Sequence, residues 1–120
     1  MNVLVTGGAG YIGSHTVVEL LNAGYGVVVV DDLSNAKADV IDRIETITGK
    51  RPAFYEMDCK DKDGLRKVFS EHKIDAIIHF AAFKAVGESV RKPLAYYRNN
   101  LDSAMTMLEV MEEFGCKKFV

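Results

Sequence analysis

The sequence predicts an α/β protein whose parallel sheet is covered by helices on both faces, a doubly wound, three-layer architecture. Three observations carry that prediction. Apolar runs of strand length alternate with amphipathic stretches of helix length along the 120 residues, the order expected of successive βαβ units. The runs at 26–31 (Gly-Val-Val-Val-Val-Asp) and 74–80 (Ile-Asp-Ala-Ile-Ile-His-Phe) are nearly all apolar, as strands buried on both faces should be. The first run opens into Gly7-Gly8-Ala9-Gly10-Tyr11-Ile12-Gly13, a glycine-dense passage from strand to helix.

Taken in order, strands are expected at 2–6, 26–31, 53–57 and 74–80, with helices at 11–23, 36–48 and 62–72 between them. Gly24 suits the end of the first helix and Asp61 the N-cap of the third. A fourth helix is expected over 93–114, with Pro93 in its first turn and Gly115 closing it. It carries two apolar stripes. Leu94, Tyr97, Leu101, Ala104, Leu108 and Met111 form one; Tyr96, Met107, Val110 and Phe114 form the other, on nearly the opposite side. One stripe must cover the sheet. The other needs a partner, either further sequence of the same protein or a second copy in a homodimer. Lys118-Phe119-Val120 begins a fifth strand. No linker or repeat interrupts the pattern, so residues 1–120 read as one domain, a doubly wound sheet that stops at the start of its fifth strand and the front part of a larger protein.

Composition narrows the classes of partner. With 48% apolar residues, 27% charged residues and a net charge of −2, there is no basic surface to suggest nucleic acid. Two cysteines are too few for a disulfide framework and show no zinc spacing, which fits a reducing compartment. No signal peptide or membrane span is indicated, so the expected location is cytoplasmic.

The glycine turn points to a dinucleotide. Its glycines allow a tight turn, close approach of the backbone to a pyrophosphate and close packing of helix on strand, while the helix beginning at Tyr11 aims free N–H groups at the phosphates. Asp31, at the end of the second strand, stands where a carboxylate accepts from the ribose hydroxyls, and Asp32 beside it would repel a 2′-phosphate. NAD is therefore favoured over NADP, although Lys37 lies close enough in sequence to neutralise a phosphate. Asp58-Cys59 follows the third strand, where the aspartate could meet an adenine amino group or simply close a turn. Cys59 reads as a small buried apolar residue. Phe80-Ala81-Ala82-Phe83-Lys84 follows the fourth strand, with small residues that let a cofactor lie against the backbone and a lysine able to reach its oxygens. His15, His72 and His79 have no metal-ligand spacing. No Tyr-x-x-x-Lys pair occurs.

The segments 6–15, 31–35, 79–89 and 93–100 (Pro-Leu-Ala-Tyr-Tyr-Arg-Asn-Asn) together resemble the UDP-glucose 4-epimerases of the extended short-chain dehydrogenase/reductase group. The resemblance runs the length of the chain. The glycine motif is common to the whole group, whereas Lys84-Ala85-Val86-Gly87-Glu88-Ser89 and the Tyr-Tyr-Arg-Asn-Asn run at 96–100 are the more specific signals. It implies a Rossmann-type NAD-binding domain in which Gly7, Gly10, Tyr11, Ile12 and Gly13 meet the pyrophosphate. Asp31, Asp32, Leu33, Ser34, Asn35 and Ala36 would surround the adenosine ribose, Asp58 and Cys59 the adenine, and Phe80, Ala81, Ala82, Phe83 and Lys84, with Asn99, the nicotinamide side. Asp32, Ala36 and Ala82 depart from the asparagine, serine and glycine usual in that family.

The resemblance further implies that C4 of UDP-galactose or UDP-glucose gives a hydride to bound NAD and takes it back on the other face of a 4-keto sugar. A tyrosinate base, its lysine and a serine or threonine would be needed. They would fall beyond Val120 with the substrate domain, leaving no catalytic residue within these 120 positions and an isolated chain that is inactive. Two other readings stay open: another nucleotide-sugar dehydratase or decarboxylase, and a non-catalytic NAD-binding module.

Overall fold

A computed structural model describes residues 1–33, 39–80 and 93–120, with 93–100 as backbone only. Its element order is β1 (Asn2–Thr6), α1 (Tyr11–Asn22), β2 (Gly26–Asp31), α2 (Asp39–Thr48), β3 (Ala53–Glu56), α3 (Lys62–Glu71), β4 (Ala76–His79), α4 (Pro93–Phe114) and β5 (Lys118–Phe119). The strands form one parallel sheet in the order β3-β2-β1-β4-β5. This is the doubly wound fold expected from the alternation of apolar runs. The strand order turns back on itself between β1 and β4, where ligand crevices open in such sheets.

Alternation along each strand divides the core into two layers. Val3, Val5, Val27 and Val29 face α1 and α2, where they pack with Val17, Leu21, Ile41 and Ile44. Leu4, Val28, Val30 and Ile77 face the other way, against Leu65, Val68 and Phe69 of α3 and Met107, Val110 and Met111 of α4. The valine-rich strands are thus covered on both faces, which explains why their sequences lack polar alternation.

The observed ends refine the expected ones. β3 stops at Glu56 and β4 spans only Ala76–His79, although hydrogen bonds continue past both ends of β4: Asp75 N–H donates to the Asn2 carbonyl at 2.9 Å and Phe80 N–H to the Thr6 carbonyl at 3.0 Å. The expected first turn of α2 falls partly outside the described residues. Gly24 and Gly115 follow their helices with φ of 91° and 73°, the left-handed geometry that ends a helix. Asp61 caps α3, its carboxylate accepting from Gly64 N–H at 3.0 Å. Asp61→Ala should lower stability by about 1 kcal/mol, measured as a shifted urea midpoint with an unchanged slope.

The two stripes of α4 separate in part, and the side chains of Leu94, Tyr96 and Tyr97 lie outside the described residues. Ser103, Met107, Val110 and Met111 are buried, a face with the spacing i, i+4, i+7, i+8. Leu101, Met105 and Leu108 are exposed by 43%, 58% and 49%, so Leu101 and Leu108 of the first stripe point away from the sheet while Met111 of the same stripe points in. Phe114 is partly exposed and rests against Phe69, ring centroids 5.5 Å apart. Ion pairs tie the rim of α4 to α3. Arg66 grips Glu113 with two bonds of 2.9 and 2.7 Å, and Lys62 reaches Glu109 at 2.9 Å. The Arg66 guanidinium holds the Glu113 carboxyl below the usual carboxylate range.

Candidate functional site

The C-terminal ends of β1, β2 and β4 and the loop after β3 carry nearly all the residues singled out from sequence. After β1 the chain turns at Gly7, whose φ of 69° favours glycine. Gly7 N–H donates to the Val30 carbonyl at 2.8 Å, and the Gly7 carbonyl accepts from Gly10 N–H at 3.1 Å. Gly13 lies against this turn. A Cβ there would stand 2.2 Å from the Gly7 carbonyl oxygen, so the third glycine is required by the approach of α1 to the strand it follows.

Gly10 has a different surrounding. It is the N-cap of α1, no side chain caps that helix, and a Cβ at Gly10 would meet only the Gly7 carbonyl oxygen at 3.3 Å. Beyond it Tyr11 and Ile12 are exposed by 81% and 56%. The first N–H groups of α1 and the positive end of its dipole therefore face open space, a setting that favours an anion.

Asp31, 7% exposed at the end of β2, is bound to the glycine turn itself. One carboxylate oxygen accepts from Ala9 N–H at 3.1 Å and the other from Leu33 N–H at 2.8 Å. Two backbone donors leave the carboxylate further lone pairs with which to accept a hydroxyl. The second bond holds Leu33 at φ 62°, a left-handed conformation unusual for leucine. This bracing role was not legible from spacing alone, since it depends on β1 and β2 lying side by side. Asp32 is exposed. Ser34, Asn35, Ala36 and Lys37 lie outside the described residues.

Asp58 is exposed and closes a local turn, accepting from Lys60 N–H at 2.8 Å. Cys59 is buried in the α3/α4 layer. Its burial, together with the neighbouring Asp58 carboxylate, pushes the thiol up to about 12, so it is a packing residue at neutral pH. Cys116 is buried as well. Both thiols should resist an aromatic disulfide reagent in the folded protein and react fully once denaturant is added, a difference read directly from thiolate release.

Phe80 closes the arrangement. Its N–H donates to the carbonyl and to the hydroxyl of Thr6 at 3.0 and 3.1 Å, which brings the ends of β1 and β4 together. Ala81, Ala82, Phe83 and Lys84 lie outside the described residues, and Asn99 falls in α4 where only the backbone is described. Sequence reading weighed His79 only as a metal ligand and gave Thr6 no role of its own, yet their side chains meet at 2.6 Å. The available signal was a polar residue ending an otherwise apolar strand. Among the described residues no helix is long and apolar enough to cross a membrane.

A doubly wound sheet, a glycine turn at its switch point and an acid at the end of the second strand define a Rossmann-type protein. Residues 4–120 match the family model described as GDP-mannose 4,6 dehydratase. The chain belongs to that family. Among curated proteins it is 57% identical over 120 residues to the UDP-glucose 4-epimerase of Bacillus subtilis, covering 100% of this chain and 35% of the relative. It is 54% identical over 122 residues to UDP-glucose 4-epimerase 2 of Arabidopsis thaliana, covering 99% and 35%. The chain thus spans about a third of the length of the curated relatives it matches.

Solved structures agree. The UDP-glucose 4-epimerase from Bifidobacterium longum, in complex with NAD+ and UDP, superposes with a TM-score of 0.96 at 50% identity over 99% of this chain and 36% of that one. The enzyme from Stenotrophomonas maltophila, with bound NAD and formylated UDP-arabinopyranose, does so with a TM-score of 0.95 at 49% identity over 99% and 35%. The resemblance to UDP-glucose 4-epimerases noted in the sequence is borne out by these relatives.

Proposed function

We propose that this chain provides the NAD-binding part of a UDP-glucose 4-epimerase, an enzyme that interconverts UDP-galactose and UDP-glucose. The observation that carries the reading is the open N-terminus of α1 at the switch point, with the buried Asp31 carboxylate braced beside it. A dinucleotide fits this arrangement because Gly10 places no side chain before the first N–H groups of α1, where even a Cβ would stand only 3.3 Å from the Gly7 carbonyl oxygen. Gly7, Gly10, Tyr11, Ile12 and Gly13 would offer backbone to the pyrophosphate, and Asp31 with residues 32–36 would receive the ribose. Asp58 and Cys59 would border the adenine, and residues 80–84 with Asn99 the nicotinamide. When bound, NAD supplies a reversible acceptor for the C4 hydride of the sugar. The residues of this chain bind and orient; with no Tyr-x-x-x-Lys pair among its 120 residues, they do not include the family's usual base.

The outward Leu101, Met105 and Leu108 of α4 support a homodimer built through that helix. The unpaired Cys59 and Cys116 suit a reducing, cytoplasmic setting. Calorimetric titration with NAD and NADP, followed by incubation of the full-length protein with UDP-galactose, tests the proposal. Preference for NAD and formation of UDP-glucose is the expected result. A 4-keto-6-deoxy product would assign a dehydratase, and NAD binding without turnover of any nucleotide sugar would assign a non-catalytic module.

A further inference from the structure

The last residue of β1 is a threonine in a strand whose preceding residues are apolar from Val3 to Val5. Its side chain is fully buried, and three groups from two segments reach its hydroxyl. Phe80 N–H, just past β4, donates to Oγ1 at 3.1 Å. The His79 ring, on β4 directly across from Thr6 in the parallel register, brings Nδ1 to 2.6 Å from Oγ1. The Cys59 thiol, in the loop after β3, shares a hydrogen bond with the same oxygen. A hydroxyl accepts through two lone pairs and donates one proton. Phe80 N–H donates into one lone pair, and the 2.6 Å contact with His79 Nδ1 is a hydrogen bond whichever of the two carries the proton.

We infer that Thr6 is a positioning residue. Its hydroxyl sets the relative placement of the turn after β1, the Cys59 loop after β3 and Phe80 at the end of β4, which the proposed function assigns to the pyrophosphate, adenine and nicotinamide. The inference rests on that reading for its functional consequence and on the geometry for its mechanism. Each turn follows a different strand, and the Thr6 side chain links all three. The Phe80 N–H also bonds the Thr6 carbonyl at 3.0 Å, so removing the hydroxyl leaves the sheet joined while releasing the His79 ring and the Cys59 loop. The expected defect is therefore in cofactor affinity more than in folding.

The test compares wild type, Thr6→Val and Thr6→Ser. Valine matches the shape without the hydroxyl; serine keeps the hydroxyl. Expected results are a roughly tenfold weaker NAD dissociation constant for Thr6→Val with a cooperative melt within a few degrees of wild type, and recovery in Thr6→Ser. Equal NAD affinity in wild type and Thr6→Val overturns the inference, as does a Thr6→Ser variant no better than Thr6→Val. Absence of NAD binding by wild type would instead overturn the proposed function. The mechanism is then decided by nitrogen NMR and amide exchange. Faster exchange of Phe80 N–H together with a shifted His79 ring-nitrogen signal in Thr6→Val sustains it; unchanged exchange or an unshifted signal overturns it.

Discussion

Gly13→Ala is expected to destabilise the fold by about 3 kcal/mol, at the upper end of ordinary overpacking, and to weaken any ligand only as a consequence. The added methyl would lie 2.2 Å from the Gly7 carbonyl oxygen and 3.0 Å from the Gly8 Cα. These are backbone atoms of a turn that is itself hydrogen-bonded to Val30, so nothing nearby can rotate aside as a flexible side chain would. Either α1 lifts from β1, opening the layer of Val5, Val17 and Val29, or the turn distorts and loses its bond to β2. Denaturant titration should give a strongly lowered midpoint. An alanine variant as stable as wild type would mean that α1 does not sit this close to the turn.

Gly10→Leu has the opposite signature. The backbone at Gly10 is extended, with φ −73° and ψ 174°, a conformation leucine adopts readily. Its Cβ would stand 3.3 Å from the Gly7 carbonyl oxygen, a contact the turn must ease by a few tenths of an ångström, so folding should suffer far less than from the 2.2 Å clash at Gly13. The rest of the side chain would project over the N–H groups of α1, where the proposed pyrophosphate approaches. NAD affinity should fall about 100-fold, equivalent to ~2.8 kcal/mol. Calorimetric titration beside a thermal melt separates the two glycines: Gly13 moves the melt, Gly10 moves the titration. Undiminished affinity in Gly10→Leu would assign the phosphate position elsewhere.

The contrast between these glycines marks what could be learned from sequence. The place of the turn between a valine-rich strand and a helix is what points to a dinucleotide, and the strands are recognisable because burial on both faces removes polar alternation. Which glycine packs against the turn and which stands before the uncapped end of α1 depends on where α1 lies relative to Gly7, information in no local pattern. The orientation of α4 was hidden for a related reason. Both of its stripes are apolar, and only contact with Leu65, Val68 and Phe69 in the α3 layer selects Met107, Val110 and Met111 as the inward set. Asp31 was identified by its position, but its two bonds to Ala9 and Leu33 follow from tertiary neighbours. Thr6 and His79 are 73 residues apart, and their pairing follows from the strand order, since β4 returns to lie against β1.

That return has a kinetic consequence. β1 is the central strand, pairing on one side with β2 and on the other with β4, where Val3 is matched to Ala76. The first pairing closes a short stretch of chain through α1; the second requires α2, β3 and α3 to have been traversed. Closure of long loops is entropically slow, and rates fall as contacts become less local. The β1-α1-β2-α2-β3 half should accordingly collapse first, leaving one edge of β1 unpaired during synthesis until β4 emerges. In that interval the apolar edge is a template for a neighbouring chain, so refolding yield should fall with protein concentration more steeply than the stability of the finished sheet alone would suggest.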